Sequence, residues 1–479
     1  MTQAYEAERN ELVSESTLHR ALISKLGACL VLHHNDKGTV IPCEDVDRIV
    51  RTWKESVERQ AFRLVRAAAS MLANLPTGCL YQRLEDPVWR AAAHISEVFR
   101  RPEITKNAGR LDTLALQRRL QAILADGAAL TFTIAWGQPK RTAGGLKAAG
   151  PHPDLAEMYS IARLSMLVQA ISQISRTDVE LTVLSGAGRF IEALFMRSAV
   201  AEAYDKARQR IAEAFTSPCR IHFTPYHELQ KTNSGNTAHL AQVWTDRFAP
   251  QMAKVSDEEV SAKFGTILLN IDWEHVFAPD PSQRMHRPHG IQLPENVERW
   301  ISARDSAECA RLVRATIVGL TSPKYQAEWL RTFDNDEVLE SALAFVQAVT
   351  WESTRKYLAI QYLAADDANR RQSESNPEGV RLTVHEKRNR HDIPAVFMLS
   401  PSSGNLLPQH VLAGFFASGD LIFESHAELT FRQFRPVHLS GAFEDGLFSW
   451  LAAARQPLCF VEKGNDNVTD LICLHGRSF

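Results

Sequence analysis

The feature that most constrains the fold is an alternation of strand-patterned and helix-patterned segments in the first half of the chain. The first strand pattern alternates apolar with smaller or polar residues, and its apolar positions are Leu130, Phe132, Ile134 and Trp136. A helical pattern follows from Asp154, with apolar residues three or four positions apart. A helix between two strands predicts parallel pairing, because parallel neighbours need a long crossover connection.

Two further strand patterns continue this order, at residues 179–184 and 220–224, and a helical pattern at 191–215 separates them. The sequence therefore predicts an α/β fold with a Rossmann-like, mostly parallel sheet at its core and large helical additions. Later strands are expected to complete this core, and their patterns lie at residues 380–385, 395–399, 421–424, 458–461 and 471–474.

The remaining segments give the predicted domain organisation. An amphipathic helix starts near Cys43, and the polar stretch from Asp366 to Glu378 is typical of a linker. We expect four parts, namely an N-terminal helical extension (1–85), the first part of the core (86–225), a mostly helical region with the linker (226–375), and C-terminal strands that complete the core (376–479).

Composition excludes several classes of protein. The chain has 54 basic and 56 acidic residues, and this balance does not favour nucleic acid or an anionic lipid surface as the main partner. The seven cysteines include no Cys-x-x-Cys pair, which favours buried thiols over a disulfide framework or a zinc site. The charged N-terminus lacks the apolar stretch of a secretory signal, and no apolar run is long enough to span a membrane, so we expect a cytoplasmic protein.

Two loops follow the first two predicted strands, at the end where open α/β sheets bind their ligands. The first loop contains Lys140 and Lys147, and the second is the glycine-rich turn Ser185-Gly186-Ala187-Gly188-Arg189. Free backbone N–H groups, glycines that allow close approach, and positive charge together predict binding of a phosphorylated or carboxylated small molecule. The alternative for the two glycines is a tight turn before a helix.

Asp154 and Glu157 stand three residues apart at the start of the predicted helix. Asp at the N-cap with Glu three residues later is the spacing of a capping box, so helix capping alone explains the pair. The functional alternative is that one carboxylate also faces the pocket beside Lys140, as a general base or as a clamp for a substrate ammonium group.

The strand at residues 380–385 places Arg381, Thr383 and His385 on one face, because side chains alternate along a strand. Arg can bind a carboxylate or phosphate through two parallel hydrogen bonds, and His can transfer a proton near neutral pH. The alternative is a sheet face open to water. His410 is a further candidate, whereas His286 and His289 have no partners at metal-ligand spacing, so no metal site is predicted.

The ordered set of motifs resembles a known family. The motifs are the Lys140 loop with Gly150-x-x-Pro153-Asp154-Leu155-Ala156-Glu157, then Ser185-Gly-x-Gly-x-Phe190, Arg381-Leu382-Thr383-Val384-His385 and Pro408-Gln409-His410. Together they resemble the pyoverdine/dityrosine biosynthesis family, which includes the isonitrile (isocyanide) synthases. The resemblance covers roughly residues 90–225 and 378–440.

The resemblance implies an enzyme of secondary metabolism that condenses the α-amine of an amino acid, chiefly tyrosine or tryptophan, with the carbonyl carbon of ribulose 5-phosphate to form an isonitrile. It implies no metal and no organic cofactor. The candidate catalytic residues are then Lys140, Asp154, Glu157 and His385. The candidate residues for binding substrate and phosphate are Lys147, Ser185, Gly186, Gly188, Arg189, Arg381 and His410.

The chain departs from the family pattern at three places around this pocket. Gly186 stands where the family usually has Asp, Gly137-Gln138-Pro139-Lys140-Arg141 replaces Phe-Pro-x-Lys-Ser, and Gln409 replaces Trp. Two alternatives therefore accompany the isonitrile synthase prediction, namely an enzyme that makes another C–N modification of an amino acid in the same pocket, and a non-catalytic scaffold with a decayed site. The expected partners are the small-molecule substrates and biosynthetic partner enzymes, with neither nucleic acid nor membrane.

Overall fold

The structure is a computed structural model, and it describes residues 33–35, 38–42, 44–73, 86–137, 152–185, 193–196, 198–215, 220–225, 248–276, 293–321, 329–372, 379–384, 393–394, 398–399, 406–407, 412–417, 420–425, 434–441 and 457–462. The first elements are β1 (His33–Asn35), β2 (Gly38–Pro42), α1 (Glu44–Ala73), α2 (Pro87–Phe99), α3 (Thr113–Ala125) and β3 (Leu130–Gly137). Next come α4 (Leu155–Ser175), β4 (Val179–Ser185), α5 (Ser198–Phe215), β5 (Ile221–Pro225), α6 (Asp257–Leu268), α7 (Trp273–Val276), α8 (Glu295–Ser302), α9 (Ser306–Thr321) and α10 (Asp336–Gln372). The last are β6 (Val380–Thr383), β7 (Ile393–Pro394), β8 (Met398–Leu399), β9 (Leu406–Leu407), β10 (Leu412–Ala417), β11 (Asp420–Ser425), β12 (Phe434–Ser440) and β13 (Pro457–Glu462).

A parallel sheet forms the core. Its strands lie in the order β5, β4, β3, β6 and β7, and every adjacent pair in this sheet is parallel. The prediction of an α/β fold with a Rossmann-like, mostly parallel core and large helical additions is confirmed. From β3, the next two strands of the chain, β4 and β5, lie on one side, and β6 lies on the other side of β3. Such a reversal opens a crevice at the carboxyl ends of the two strands concerned, here β3 and β6.

The helix α4 lies at the centre of the molecule. All its side chains from Leu155 to Val168 are buried, which fits a helix with apolar residues on every side. It packs against α1, α2 and α5, and also against β10, where a Cβ atom on Gly414 would stand 3.3 Å from Cδ2 of Leu155. Glycine therefore permits the close approach of β10 to the start of α4. One turn further on, the ring of Tyr159 stacks on Phe423 with 4.9 Å between the ring centres.

A second, six-stranded sheet covers this end of α4. Its strands lie in the order β1, β2, β12, β13, β10 and β11, so it joins strands from both ends of the chain. The expectation that the C-terminal strands complete the parallel core is wrong for β8 to β13, since β6 and β7 alone among the described C-terminal strands join that sheet. The N-terminal part likewise contributes the strands β1 and β2 as well as the predicted helix. Period-two alternation identifies a strand but does not identify the strand that pairs with it.

The helices α6 to α10 have an apolar core of their own, in which Trp273 and Trp300 both contact the ring of Phe345. The prediction of a linker from Asp366 to Glu378 is wrong as far as Gln372, because α10 continues through these polar residues as one helix. Ala, Asp, Arg and Gln tolerate a helix, and the first proline comes only at Pro377. Among the helices that the structure describes, none is long and apolar enough to cross a membrane.

Candidate active site

Three neighbouring strands of the parallel sheet end at the same edge. Gly137 of β3 pairs with Ser185 of β4, and Ala135 pairs with Thr383 of β6. Most of the predicted site residues belong to segments that begin directly after β3, β4 and β6. The register of these strands therefore brings the first residues of those segments together. Seven predicted residues themselves lie outside the described ranges, namely Lys140, Lys147, Gly186, Gly188, Arg189, His385 and His410.

Glu157 lies in the first turn of α4, beside this edge, and its side chain is fully buried. Its Oε1 atom accepts a hydrogen bond of 2.6 Å from Nε1 of Trp136 near the end of β3. The same oxygen accepts a hydrogen bond of 2.8 Å from Nε of Arg208 on α5, and Nη2 of Arg208 lies 2.7 Å from it. Glu157 is therefore the anion of a buried ion pair that connects β3, α4 and α5.

Arg208 is also fully buried and contacts a second carboxyl group. Its Nη1 atom donates a hydrogen bond of 3.1 Å to Oδ1 of Asp205, and its guanidinium group lies 4.6 Å from the ring centre of Tyr204. The hydroxyl group of Ser185, at the end of β4, lies beside the Asp205 carboxyl. We call Trp136, Glu157, Ser185, Asp205 and Arg208 the buried ion cluster.

Burial and the charges of the buried ion cluster shift the pKa of Asp205 and of Arg208. Burial raises the pKa of Asp205 above its usual value, the charge of Glu157 adds to this effect, and Arg208 and Ser185 oppose it. Burial acts to lower the pKa of Arg208, but Glu157, Tyr204 and Asp205 outweigh burial and the net shift is upward. The guanidinium group therefore stays charged, while Asp205 has an increased tendency to hold a proton.

Asp154 caps α4, as the capping interpretation predicted. Its Oδ1 atom accepts a hydrogen bond of 2.9 Å from the backbone N–H of Glu157, and the residue is only 4% exposed. The Glu157 side chain contacts Arg208 and Trp136 in place of the return contact of a capping box. Burial and the charge of Asp154 raise the pKa of the Cys459 thiol on β13, so this thiol stays neutral.

Arg381 lies on the other face of the parallel sheet from Glu157. Its strand neighbours Val380 and Leu382 are buried in the apolar core on the α4 side, so the half-buried Arg381 points away from α4. In the parallel register it is paired with Thr133 of β3. The described residues therefore do not bring Arg381 together with Asp154 and Glu157, although all three lie near the same edge.

Sequence reasoning missed Asp205 and Arg208 and assigned Trp136 only to the strand. A signal was present, because Arg208 falls on the stripe of α5 that also contains Ala201, Tyr204 and Ile211, all of them buried. A charged residue on an apolar helix stripe indicates a buried partner of opposite charge. The sequence does not show that this partner is Glu157, which is 51 residues away along the chain.

Within the described ranges, no group of three or more His, Cys, Asp or Glu side chains is arranged to hold a metal ion. The histidines at 286 and 289 lie outside those ranges.

Comparison with known proteins identifies similar sequences and structures. Residues 137–274 match the sequence model of the family described as pyoverdine/dityrosine biosynthesis protein. No curated protein matches the chain. A crystal structure of the PvcA protein from Pseudomonas aeruginosa is similar, with 14% sequence identity, a TM-score of 0.42, and coverage of 78% of this chain and 100% of that chain. The resemblance predicted from the motifs is thus confirmed over residues 137–274 by the family match.

Proposed function

We propose that this protein is an isonitrile synthase-like enzyme of secondary metabolism, which condenses the α-amine of an amino acid with the carbonyl carbon of ribulose 5-phosphate. The observation that supports this proposal most is the family match over residues 137–274. That segment contains α4, β4, α5 and β5, and with them Glu157, Ser185, Asp205 and Arg208 of the buried ion cluster. The match and the candidate site therefore concern the same part of the chain.

We propose that the sugar phosphate binds at the carboxyl edge of the sheet, where the segments that follow β3 and β4 begin. The start of α4 is not proposed as its site, because the residues from Asp154 to Glu157 are buried, β10 packs on them, and the Asp154 carboxylate already accepts from the N–H of Glu157. Lys140, Lys147 and Arg189 follow β3 and β4 in the sequence and are the proposed cationic partners. The backbone of the turn after Ser185, with Gly186 and Gly188, is proposed to add N–H donors.

The carboxylate of the amino acid is the proposed ligand of Arg381. This residue stands two positions before the end of β6, which corresponds to about 7 Å along a strand. An extended arginine side chain is long enough to bridge that distance and reach the edge from the face opposite α4. The two substrates would then approach the crevice from its two sides, and the amine and the carbonyl would meet between them.

The first proposed step is imine formation. The amine nitrogen attacks the carbonyl carbon, a C–N bond forms, and the carbonyl oxygen takes up a proton. The resulting hydroxyl group takes up a second proton and leaves as water, while the nitrogen lone pair forms the C=N bond and the nitrogen releases its protons. This step consumes and returns protons, so it requires a residue that gives and takes them.

The contacts of the described carboxylates limit which of them performs this task. Glu157 accepts on its Oε1 atom from Trp136 and from the Arg208 guanidinium, so this oxygen is already occupied as an acceptor. Asp154 is occupied as the cap of α4. We therefore assign Glu157 and Asp154 to the support of the site and Lys140 to the phosphate, and we retain His385 as a proposed proton-transfer group.

The proposal is tested with the purified protein, a panel of amino acids, and ribulose 5-phosphate carrying a carbon-13 label at its carbonyl carbon. Mass spectrometry is expected to find one amino acid that gains the labelled carbon on its nitrogen as an isonitrile. Unphosphorylated ribulose is the matched control and is expected to give far less product. A labelled product of another kind would support the alternative C–N modification, and no labelled product from folded protein would support the scaffold.

A further inference from the structure

The buried ion cluster contains one cation and two carboxyl groups. Arg208 and Glu157 are fully buried and Asp205 is 6% exposed, so water does not screen these charges effectively. One guanidinium group cannot neutralise two buried carboxylates, and an unpaired buried charge is strongly unfavourable. The cluster is therefore close to neutral only when one of the two carboxyl groups holds a proton.

The geometry assigns this proton to Asp205 rather than to Glu157. Oε1 of Glu157 receives Nε of Arg208 at 2.8 Å and Nε1 of Trp136 at 2.6 Å, and Nη2 of Arg208 lies 2.7 Å away. Asp205 receives a single guanidinium hydrogen bond, which is longer at 3.1 Å. Hydrogen bonds to a carboxylate favour its ionised form, so the geometry places the proton on Asp205, the group with fewer donors. The upward shift in the pKa of Asp205 agrees with this assignment.

The location of Asp205 relates this proton to the candidate site. Ser185, which lies beside the Asp205 carboxyl, is the last residue of β4 and is paired with Gly137 at the end of β3. Asp205 therefore lies at the carboxyl edge of the sheet, beside β4 and one strand away from the crevice between β3 and β6. Its Oδ2 atom is buried and has no hydrogen-bond partner among the described residues, and the same is true of Oε2 of Glu157. Buried polar atoms normally have partners, so both oxygens can accept another hydrogen bond, and the Asp205 oxygen belongs to the carboxyl group beside the end of β4.

We propose that Asp205 is an acid–base residue of this site in addition to His385, and that it holds the proton of the buried ion cluster and exchanges it, through Oδ2, with the substrate at the carboxyl end of β4. The inference rests on the proposed function, because the substrate in question is the adduct of the amino acid and the sugar phosphate. Arg208 is then a positioning residue, since it donates to Oδ1 of Asp205 and to Oε1 of Glu157.

The proton exchange balances in the imine-forming step. Asp205 gives its proton to the hydroxyl group of the carbinolamine, the C–O bond breaks, and water leaves. The nitrogen lone pair forms the C=N bond, and the protonated imine then returns a proton to the Asp205 carboxylate. Asp205 ends the step as it began it, with no oxidant, reductant or further reactant.

The test compares the full-length protein with its Asp205→Asn variant. Asn has nearly the same size and keeps an oxygen for Nη1 of Arg208, but it has no proton to donate to the adduct. We expect kcat to fall by about a hundredfold or more, with KM for ribulose 5-phosphate unchanged. Glu202→Gln is the matched control, because Glu202 is an exposed carboxylate on the same helix. Asp205→Glu is expected to recover part of the activity.

The pH profile gives a readout that a purely structural role would not change. The groups that face Asp205 or its partner Arg208 are Tyr204 on α5, Glu157 on α4 and Ser185 on β4. Wild-type kcat is expected to fall at high pH, when Asp205 loses its proton, and Asp205→Asn is expected to lack this fall. Infrared spectroscopy at neutral pH is expected to show the carbonyl band of a protonated carboxylic acid in the wild type and not in Asp205→Asn.

The outcomes separate this inference from the proposed function. A wild type that converts substrate, together with folded Asp205→Asn of near wild-type kcat, overturns the role of Asp205 and leaves the proposed function intact. Absence of the carbonyl band from the wild type overturns the role of Asp205 whatever the turnover. A wild type that shows the band but converts no amino acid overturns the proposed function.

Discussion

Replacement of Arg208 by Met removes the cation from the buried ion cluster. Met has a similar length and fills most of the space of the arginine stem, so the loss of packing is small compared with the loss of charge. Glu157 and Asp205 then remain with two carboxyl groups and no guanidinium partner. Glu157 and Asp205 both lie in the part of the fold where β3, β4, α4 and α5 meet.

The expected magnitude follows from burial. Arg208 and Glu157 are both fully buried, and removal of one partner from such a pair costs about 3–5 kcal/mol. The loss depends on pH, because in the variant both carboxyl groups have their pKa raised above the unfolded value of about 4. The folded variant then binds more protons than the unfolded chain, so its stability rises as the pH falls through this range. We therefore expect the full loss near pH 8 and a smaller loss near pH 5.

The assay is unfolding in urea, followed by tryptophan fluorescence at about pH 5 and about pH 8. Arg210→Met is the matched control, because Arg210 is exposed on the same helix, and its unfolding midpoint is expected to stay close to that of the wild type. The triple variant Arg208→Met/Glu157→Gln/Asp205→Asn leaves no buried charge in the cluster. It is expected to recover most of the lost free energy of unfolding, since neutral replacement of a buried ion pair is often tolerated.

An Arg208→Met variant with the midpoint of the wild type would show that Arg208 does not balance buried charge. A loss of the same size at both pH values would also refute the reasoning, because stranded carboxylates must become less costly when they are protonated.

Four further predictions concern other residues of the candidate site. Asp154→Asn should keep the cap of α4, whereas Asp154→Ala should lower the free energy of unfolding by about 0.5–2 kcal/mol in urea titrations; equal losses in both variants would exclude a capping role. Asp205→Asn should gain stability relative to the wild type as the pH rises from about 4 to 8, because ionisation of a group with a raised pKa costs the folded state; a difference independent of pH in the same titrations would contradict this. Glu157→Gln keeps an acceptor for its two donors and leaves Asp205 to neutralise the guanidinium, so its unfolding midpoint should fall less than that of the Arg208 variant. In steady-state kinetics, Lys140→Ala should raise KM for ribulose 5-phosphate about ten- to a hundredfold, and Arg381→Ala should raise KM for the amino acid instead; the reverse pattern would exchange the two proposed binding roles.

Several features were predictable because they depend on neighbouring residues alone. The alternation from Leu130 to Trp136 produced the strand β3, and the apolar spacing after Asp154 produced the helix α4 with its cap. Alternation also placed Arg381 on the face opposite Val380 and Leu382, as expected. The side of the sheet that α4 covers was not predictable in this way, because it depends on the strand order around β3.

The pairing of strands and of charged side chains was decided by the tertiary structure. The strands β11 and β13 contain apolar segments like those of the core strands, yet both lie with β1 and β2 in a second sheet. The sequence by itself determined that the chain forms strands, helices and a capped α4, because propensity, alternation and capping act over a few residues. The tertiary structure alone decided that Glu157, Asp205 and Arg208 share one buried ion cluster, because their contacts join segments about fifty residues apart and exist only when the packing of α4 and α5 on the sheet excludes water.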